Sequence, residues 1–320
     1  MFKRMRTHRY AGRMAGALTA MVLLLVAVSA QEAGQKTFTS FPDASKALYD
    51  AVKSGDKAAM ETVLGASSAP ILSSGDPVQD QKNADFFTQH YEQMNRWGKE
   101  TNGDETLFLG ADNWPFPVPL KKNAAGQWYY DSKAGVEEVL FRRIGNNELA
   151  AIRVCKALAD AQDEYFDQLH DGETVHQYAQ KFVSDEGKQN GLYWKTAEGE
   201  PQSPIGPVFQ YATAEGYSKK ADPFHGYYFR LLTAQGAAAP GGAKSYIVDG
   251  KMTGGFAFVA YPAQYRNSGV MTFVVNLNGA IYEKDLGPKT ADLVNAMTAI
   301  NPDNTWRAVS SGTEEEVEEQ

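Results

Sequence analysis

The sequence predicts an α+β fold made of two successive units, each combining helices with an antiparallel sheet. Residues 41–64 and 145–166 place apolar side chains at the i, i+3 and i+4 spacing of amphipathic helices. After each of these regions come short apolar runs bounded by Gly, Pro and Asn, which are typical of strands and hairpins. The chain has 320 residues. At roughly 150 residues per domain, this length also favours two domains.

The first thirty residues have the composition of a secretory signal peptide. Five cations precede an apolar run over residues 15–28, and small residues lie just before a cleavage site between Ala30 and Gln31. An uncleaved membrane anchor is the alternative, but the run is shorter than the ~20 residues that span a bilayer. We therefore predict cleavage after Ala30 and a periplasmic or secreted mature chain without a stable membrane span.

Composition and charge exclude several classes of partner. Charged residues make up 22% and apolar residues 43% of the chain, as in ordinary globular proteins. The formal net charge is −8, and it becomes −13 once the five cations of the signal segment are removed. This acidity disfavours nucleic acid and anionic lipid surfaces as main partners, because both require basic faces. The single cysteine, Cys155, excludes an internal disulfide framework.

The first unit, residues 31–144, is predicted to place helices before an antiparallel hairpin. Residues 41–64 form two helices that break at Gly55 and Asp56, and a polar helix with aromatic residues lies around residues 85–97. Turn-rich segments separate the predicted strands, which cover residues 106–110, 118–121 and 127–131.

The second unit, residues 145–309, joins the clearest helix of the chain to a strand-rich remainder. That helix covers residues 145–166, and a further helical turn or two is predicted at residues 175–182. Asn278 and Gly279 between two apolar runs predict a hairpin turn. Residues 310–320, with five glutamates, predict a disordered acidic tail. Strands are predicted at residues 227–232, 245–248, 256–261, 270–275 and 281–283.

Two sets of motifs resemble known folds. The opening pattern over residues 38–56 and the run Gly126-x-Trp128-Tyr129-Tyr130-Asp131 resemble nuclear-transport-factor-2-like domains, which curve a sheet around helices to enclose a pocket. Asn147-Glu148-x-x-Ala151-Ile152 and Gly269-x-x-Thr272-Phe273-x-Val275 resemble the soluble part of type IV pilins and pseudopilins, where a helix packs across an antiparallel sheet. Pilins also need an uncleaved apolar helix behind a processing site, so a polymerising pilin is disfavoured.

A third resemblance covers nearly the whole mature chain. Its motifs include Ser74-Gly75-Asp76-Pro77, Trp114-Pro115-Phe116-Pro117 and His225-Gly226-Tyr227-Tyr228-Phe229. With these motifs the chain is similar to an uncharacterised bacterial secreted family, the domain of unknown function number 2950. The resemblance implies a location in the envelope or outside the cell, and it implies no assigned chemistry.

Catalytic candidates are few. The sequence has no Walker loop, no Gly-x-Ser-x-Gly elbow and no His-x-x-x-His pair, so no cofactor or metal is predicted. His225 is a candidate general base, with Asp222 or Asp76 as its carboxylate. The structural alternatives are a packing histidine at a strand entry and an Asp-Pro turn at Asp76. Cys155 lies on an apolar helix stripe and is either a reactive thiol or a small buried residue, the second being favoured.

Binding candidates lie in the first unit and at its end. Arg142 and Arg143 either bind a carboxylate or phosphate or form interdomain ion pairs, and the ion pairs are favoured. Trp114 and Trp128 either line a pocket or pack in the core, and core packing is favoured.

These observations favour an exported soluble protein of the cell envelope, a non-catalytic module that binds an envelope protein or a small ligand. One alternative is an envelope-acting hydrolase of unrecognised type that uses His225 with a nearby carboxylate. Another is an accessory of a pilus or secretion system. The sequence leaves open whether the chain is an enzyme, and a non-enzyme is the favoured interpretation.

Overall fold

The computed structural model describes residues 31–197, 199–217 and 222–309. The predicted α+β class is confirmed, since helices pack with sheets that are mostly antiparallel. No sheet closes into a barrel within these described ranges. Ala30 and the predicted acidic tail at residues 310–320 lie outside them.

Local sequence explains where the helices begin and end. Ser40 accepts a hydrogen bond from the backbone of Asp43 and caps the first helix, which ends where Gly55 adopts a left-handed φ of 68°. Asp56 then caps the second helix, so the predicted break at these two residues is confirmed. The α-helices of the described chain are α1 (Phe41–Ser54), α2 (Lys57–Leu64), α3 (Ala69–Leu72), α4 (Pro77–Gln93), α5 (Ser132–Phe166), α6 (Gly206–Ala214) and α7 (Thr290–Ala296).

The strands form two main sheets. They are β1 (Asn95–Lys99), β2 (Glu105–Leu109), β3 (Trp114–Pro115), β4 (Leu120–Lys122), β5 (Trp128–Tyr130), β6 (Tyr227–Leu232), β7 (Ala234–Gln235), β8 (Lys244–Ser245), β9 (Ile247–Val248), β10 (Lys251–Met252), β11 (Ala257–Pro262), β12 (Met271–Asn276), β13 (Ile281–Asp285), β14 (Ala299–Ile300) and β15 (Arg307–Ala308). The first sheet has the order β1-β2-β4-β5, with β3 beside β2, and the second has the order β15-β13-β12-β11-β6. Strand β14 pairs with β7 in parallel, and every other strand pair is antiparallel.

Three helix predictions differ from the structure. The polar helix predicted around residues 85–97 is α4, which covers Pro77–Gln93, and residues 95–97 belong to β1. The helix predicted at residues 145–166 begins at Ser132, where Asp131 caps it by accepting a hydrogen bond from the Ala134 backbone. Residues 175–182 form no helix, because the Tyr178 amide donates to the carbonyl of Met252 in β10 instead of to its own segment. The predicted domain division between residues 144 and 145 falls inside α5 and stays a prediction.

The hydrophobic core has two parts. One packs α1, α2 and α4 against the first sheet, around Leu48, Leu64 and Leu107. The other packs the apolar stripe of α5 against β11 and β12, around Leu158, Phe258 and Phe273. Helix α5 therefore lies on the second sheet with one face, and its remaining faces are free to meet other elements.

Candidate functional site

A cleft of about 1450 Å³ opens beside the long helix α5. Helices α4 and α5 contribute most of its lining side chains, and α1, α2, α3 and α6 contribute the rest together with His225 and the Trp114–Pro117 segment. This volume exceeds the roughly 300–1,000 Å³ of typical small-molecule sites. The cleft is therefore the natural place to look for a binding site.

One face of α5 supplies arginines to the cleft. Arg142, Asn146, Leu149 and Arg153 follow each other at helical spacing and line it together. Arg142 forms an ion pair with Glu138 one turn earlier in α5, at 2.6 Å, and its guanidinium lies 5.6 Å from the centre of the Trp114 ring. Arg153 is exposed and forms no ion pair with any residue that the structure describes.

Arg143 is buried in the wall of the cleft, with 9% of its surface exposed. Its Nη1 donates to Oδ1 of Asn267 at 2.6 Å, and this neutral amide is its one hydrogen-bond acceptor within the described chain. Burial lowers the pKa of Arg143, while the charge of Asp80 opposes this effect from beyond ion-pair distance. A buried guanidinium whose other donors meet no carboxylate is electrostatically incomplete without an anion.

Asp76 lies under the cleft and connects distant parts of the chain. Its side chain is 1% exposed and caps α4 by accepting from the amides of Val78 and Gln79, both at 3.1 Å. Its Oδ2 accepts from the Tyr217 hydroxyl at 2.7 Å and from the Gly226 amide at 3.2 Å. Burial and this bond to Asp76 raise the pKa of Tyr217, so the phenol remains a donor. The N-cap of α4 is thereby tied to the segment that carries His225.

His225 and Glu215 form a pair at the edge of the cleft. The His225 Nε2 lies 3.0 Å from Oε2 of Glu215, and Glu215 Oε1 lies 3.1 Å from the Lys82 ammonium. Burial lowers the pKa of His225, and the opposing charge of Glu215 does not restore its ordinary value. Burial alone would raise the pKa of Glu215, but hydrogen bonds from Tyr211 and Lys82 and the charge of His225 lower it.

The backbone of His225 is held in an uncommon conformation. Its φ is 47°, in the left-handed region, and its amide donates to the Tyr217 hydroxyl at 3.3 Å. The following Gly226 has no room for a side chain, because a Cβ there would lie 2.6 Å from Nδ2 of Asn147. Such strain persists only where the surroundings fix it, and it concentrates at functional sites.

The remaining sequence candidates lie apart from this pair. Asp222 forms no hydrogen bond or ion pair with a residue of the described ranges, so the carboxylate beside His225 is Glu215 and not Asp222. Trp114 is half-buried and lines the cleft, whereas Trp128 is 8% exposed and packs in the core at 5.4 Å from Phe41.

The lone thiol has no contact with the cleft. Cys155 is fully buried among core residues, and this burial raises its pKa to about 12. Within residues 31–309, as far as the structure describes them, no group of three or more His, Cys, Asp or Glu side chains is placed to hold a metal ion. Nor does any helix of the described chain have the length and apolarity needed to cross a bilayer.

Several residues of the site had no signal in the sequence. Glu215, Tyr217 and Lys82 belong to no motif, and they meet His225 and Asp76 only through the folding of the chain. Arg153 could have been found from its helical spacing to Arg142, which places both on one face of α5.

Fold and site together define an α+β protein with a helix-lined cleft that presents arginine side chains. A protein family described as "Protein of unknown function (DUF2950)" matches residues 35–309, and the chain belongs to this family. The family resemblance drawn from the sequence motifs is thereby confirmed. No curated protein and no solved structure matches the chain. The pilin-like and nuclear-transport-factor-2-like resemblances stay predictions.

Replacement of Tyr217 by Phe removes one donor from the buried Asp76 carboxylate. Hydrogen bonds to charged groups contribute about 1.5–3 kcal/mol, so we expect Tyr217→Phe to lower the free energy of unfolding by about this amount. Urea denaturation of both proteins measures the difference. Tyr228→Phe is the matched control, because the half-buried Tyr228 hydroxyl has no hydrogen bond within the described chain. Equal losses in the two variants would contradict a role for the Asp76 bond.

His225 makes stability depend on pH. Because its pKa in the folded protein lies below the ordinary value of 6.5, the unfolded chain binds the proton more readily. The stability contributed by the neutral imidazole is therefore present above pH 6.5 and is lost as the pH falls towards the lower folded-state pKa. We expect His225→Asn, which does not titrate and tolerates a left-handed φ, to lose less stability than the wild type between about pH 7 and pH 5. Parallel pH profiles of the unfolding free energy would refute this assignment.

Proposed function

We propose that this chain is an exported binding protein of the cell envelope whose cleft holds the carboxylate or phosphate group of a ligand on Arg143. The observation that carries the proposal is the state of this guanidinium. It is nine-tenths buried, lines the cleft and has one neutral acceptor, Asn267, among the described residues. A planar guanidinium with free donors is suited to bidentate contacts with carboxylate or phosphate oxygens.

The surroundings of Arg143 support an anionic ligand. Arg142 and Arg153 line the same cleft, and Arg153 has no carboxylate partner among the described residues. The chain as a whole is acidic, with a net charge of −8. The net charge describes the whole surface, whereas the electrostatic potential inside a cleft depends mainly on the charges that line it. Asp80 and Asp85 are the acidic residues of the lining, and they leave the arginine face of α5 in local excess.

Export is the second part of the proposal, and it rests on the sequence. Residues 1–30 have the basic start, the apolar run and the small residues of a cleavable signal. A protein that matures in the envelope meets metabolites and envelope components there, and a ligand with an acidic group belongs to this set. The proposed role is binding of such a ligand without turnover.

Arg143→Gln tests the proposed anion contact. Because a ligand that binds only the folded state stabilises it by mass action, inorganic phosphate or acetate should raise the unfolding temperature of the wild type. At a concentration 100-fold above Kd the gain is about 2.7 kcal/mol. We expect this gain to be lost in Arg143→Gln and kept in the control Arg307→Gln, which removes an exposed arginine outside the cleft. Thermal unfolding at constant ionic strength measures it, and equal gains in both variants would exclude Arg143 as the anchor.

Hydrolysis of the bound ligand is a second candidate function, favoured by the His225–Glu215 pair at 3.0 Å. The contact is an ion pair without a hydrogen bond to Oε2, so Glu215 supplies a negative charge that favours the imidazolium formed when His225 takes a proton from a water in the cleft, the candidate nucleophile. This candidate predicts hydrolysis of p-nitrophenyl acetate that falls by about 100-fold or more in His225→Asn. His90→Asn is the matched control, since His90 lies outside the lining. Absence of turnover, or equal rates in the two variants, would reject the hydrolytic function and leave binding as the only proposed function.

A further inference from the structure

A second side of the cleft is apolar. Helices α1, α2 and α3 direct half-buried apolar side chains into it, and residues from the Trp114–Pro117 segment and α5 complete this surface. Its main members are Val52, Met60, Ile71, Leu72, Phe116 and Val139. These side chains line the same cleft as Arg143.

These six side chains are only partly buried. They come from four helices and a loop; four of them also pack against the first part of the core, and all six line the cleft. Apolar surface left in contact with water inside a concavity is unfavourable, and contiguous patches of this kind mark binding sites. A cleft of about 1450 Å³ is also far larger than a small polar anion needs.

We infer that the ligand is an amphiphile, with an apolar chain that covers the side formed by α1, α2 and α3 and a single carboxylate or phosphate head group on Arg143. This inference rests on the proposed function and adds the chemical class of the ligand. The anionic head group pairs with the positive charge of the buried guanidinium, and the apolar chain of the ligand removes the apolar lining from contact with water. An apolar ligand without a head group would leave Arg143 without an anionic partner. A small anion without an apolar chain would leave the apolar side of the cleft exposed to water.

The lysines near the apolar side do not offer an equivalent anchor. Lys53 is already paired with Glu92 at 2.8 Å and donates to the Tyr49 hydroxyl at 2.6 Å. Lys57 is exposed at the start of α2, where solvent screens its charge. Arg143 is buried and forms no ion pair among the described residues, since Asp80 acts on it only from beyond ion-pair distance, so it gives an anion the stronger electrostatic gain.

Calorimetric titration of the mature protein with a series of carboxylates tests the inference. The probes are acetate, hexanoate, octanoate and decanoate, all below the concentration at which they form micelles. Transfer of each methylene from water to an apolar surface tightens binding by about two- to fourfold. We therefore expect Kd to fall steadily along the series, and the heat of binding to be lost in Arg143→Gln for every member.

A matched pair of variants separates the chain from the head group. Met60→Gln keeps the length and helix propensity of a half-buried lining residue but adds a polar amide, so decanoate should bind on the order of tenfold more weakly while acetate is unaffected. Met94→Gln makes the same exchange outside the lining and should leave both affinities unchanged. Circular dichroism of the two variants confirms that each is folded.

The possible failures are distinguishable. Carboxylate binding that depends on Arg143 but not on chain length would overturn the amphiphile and leave the proposed anion site intact. Absence of binding for every carboxylate and for phosphate would overturn the proposed function itself. Binding that strengthens with the length of the carboxylate but is unchanged from the wild type in both Arg143→Gln and Met60→Gln would place the apolar chain of the ligand elsewhere on the protein. That result would refute the inference.

Discussion

The buried carboxylate of Asp76 is the contact on which the arrangement of the site depends. It accepts two hydrogen bonds from the first turn of α4 and two more from Tyr217 and Gly226, which follow it by 141 and 150 residues. Four donors on one buried carboxylate satisfy its charge and leave little freedom for any of them. The wall formed by α4 and the segment that bears His225 are thus held in one geometry, and the cleft lies beside this connection.

Helix α5 contributes one face to the core and another to the lining of the cleft. Its apolar stripe, with Ala151, Cys155 and Leu158, packs on the second sheet and supplies part of the core. The face with Arg142, Asn146 and Arg153 opens onto the cleft instead. Because α5 runs without interruption over 35 residues, these side chains are fixed relative to the core. Arg143 is buried with one neutral acceptor among the described residues, and departures of this kind from full pairing are expected where function is served at the expense of stability.

Turns and helix breaks, which depend on local sequence, could be predicted, whereas features that depend on long-range contacts could not. The break at Gly55 and Asp56 and the hairpin turn at Asn278 and Gly279 follow from turn chemistry, and both were predicted correctly. The first half of α5 was missed because its glycines weaken the helical pattern. The structure explains one of them, since a Cβ at Gly135 would lie 2.7 Å from a methyl group of Val118. At this position close packing overrides helix propensity.

Prediction of the site from the sequence was limited in the same way, because its contacts are tertiary. Asp76, His225, Arg142 and Arg143 were all singled out from the sequence, yet their partners were not. Glu215 follows α6 and lies beside His225 only through tertiary folding, so no periodic pattern in the sequence predicts this contact. Within the described ranges neither arginine forms an ion pair between the predicted units: Arg142 is paired within α5, and Arg143 donates to the neutral Asn267. Burial, which a sequence does not display, is what distinguishes Arg143 from a surface charge and makes it the centre of the proposed anion site.

The most direct test of this account is native mass spectrometry of the mature protein, purified from the envelope of its own host, beside the Arg143→Gln variant prepared in the same way. We expect a mature N-terminus at Gln31 and one added mass on the wild type, released on denaturation as an anionic amphiphile and absent from the variant. A wild type that carries no small molecule, or a variant that carries the same one, would contradict the claim that the cleft binds its ligand through Arg143.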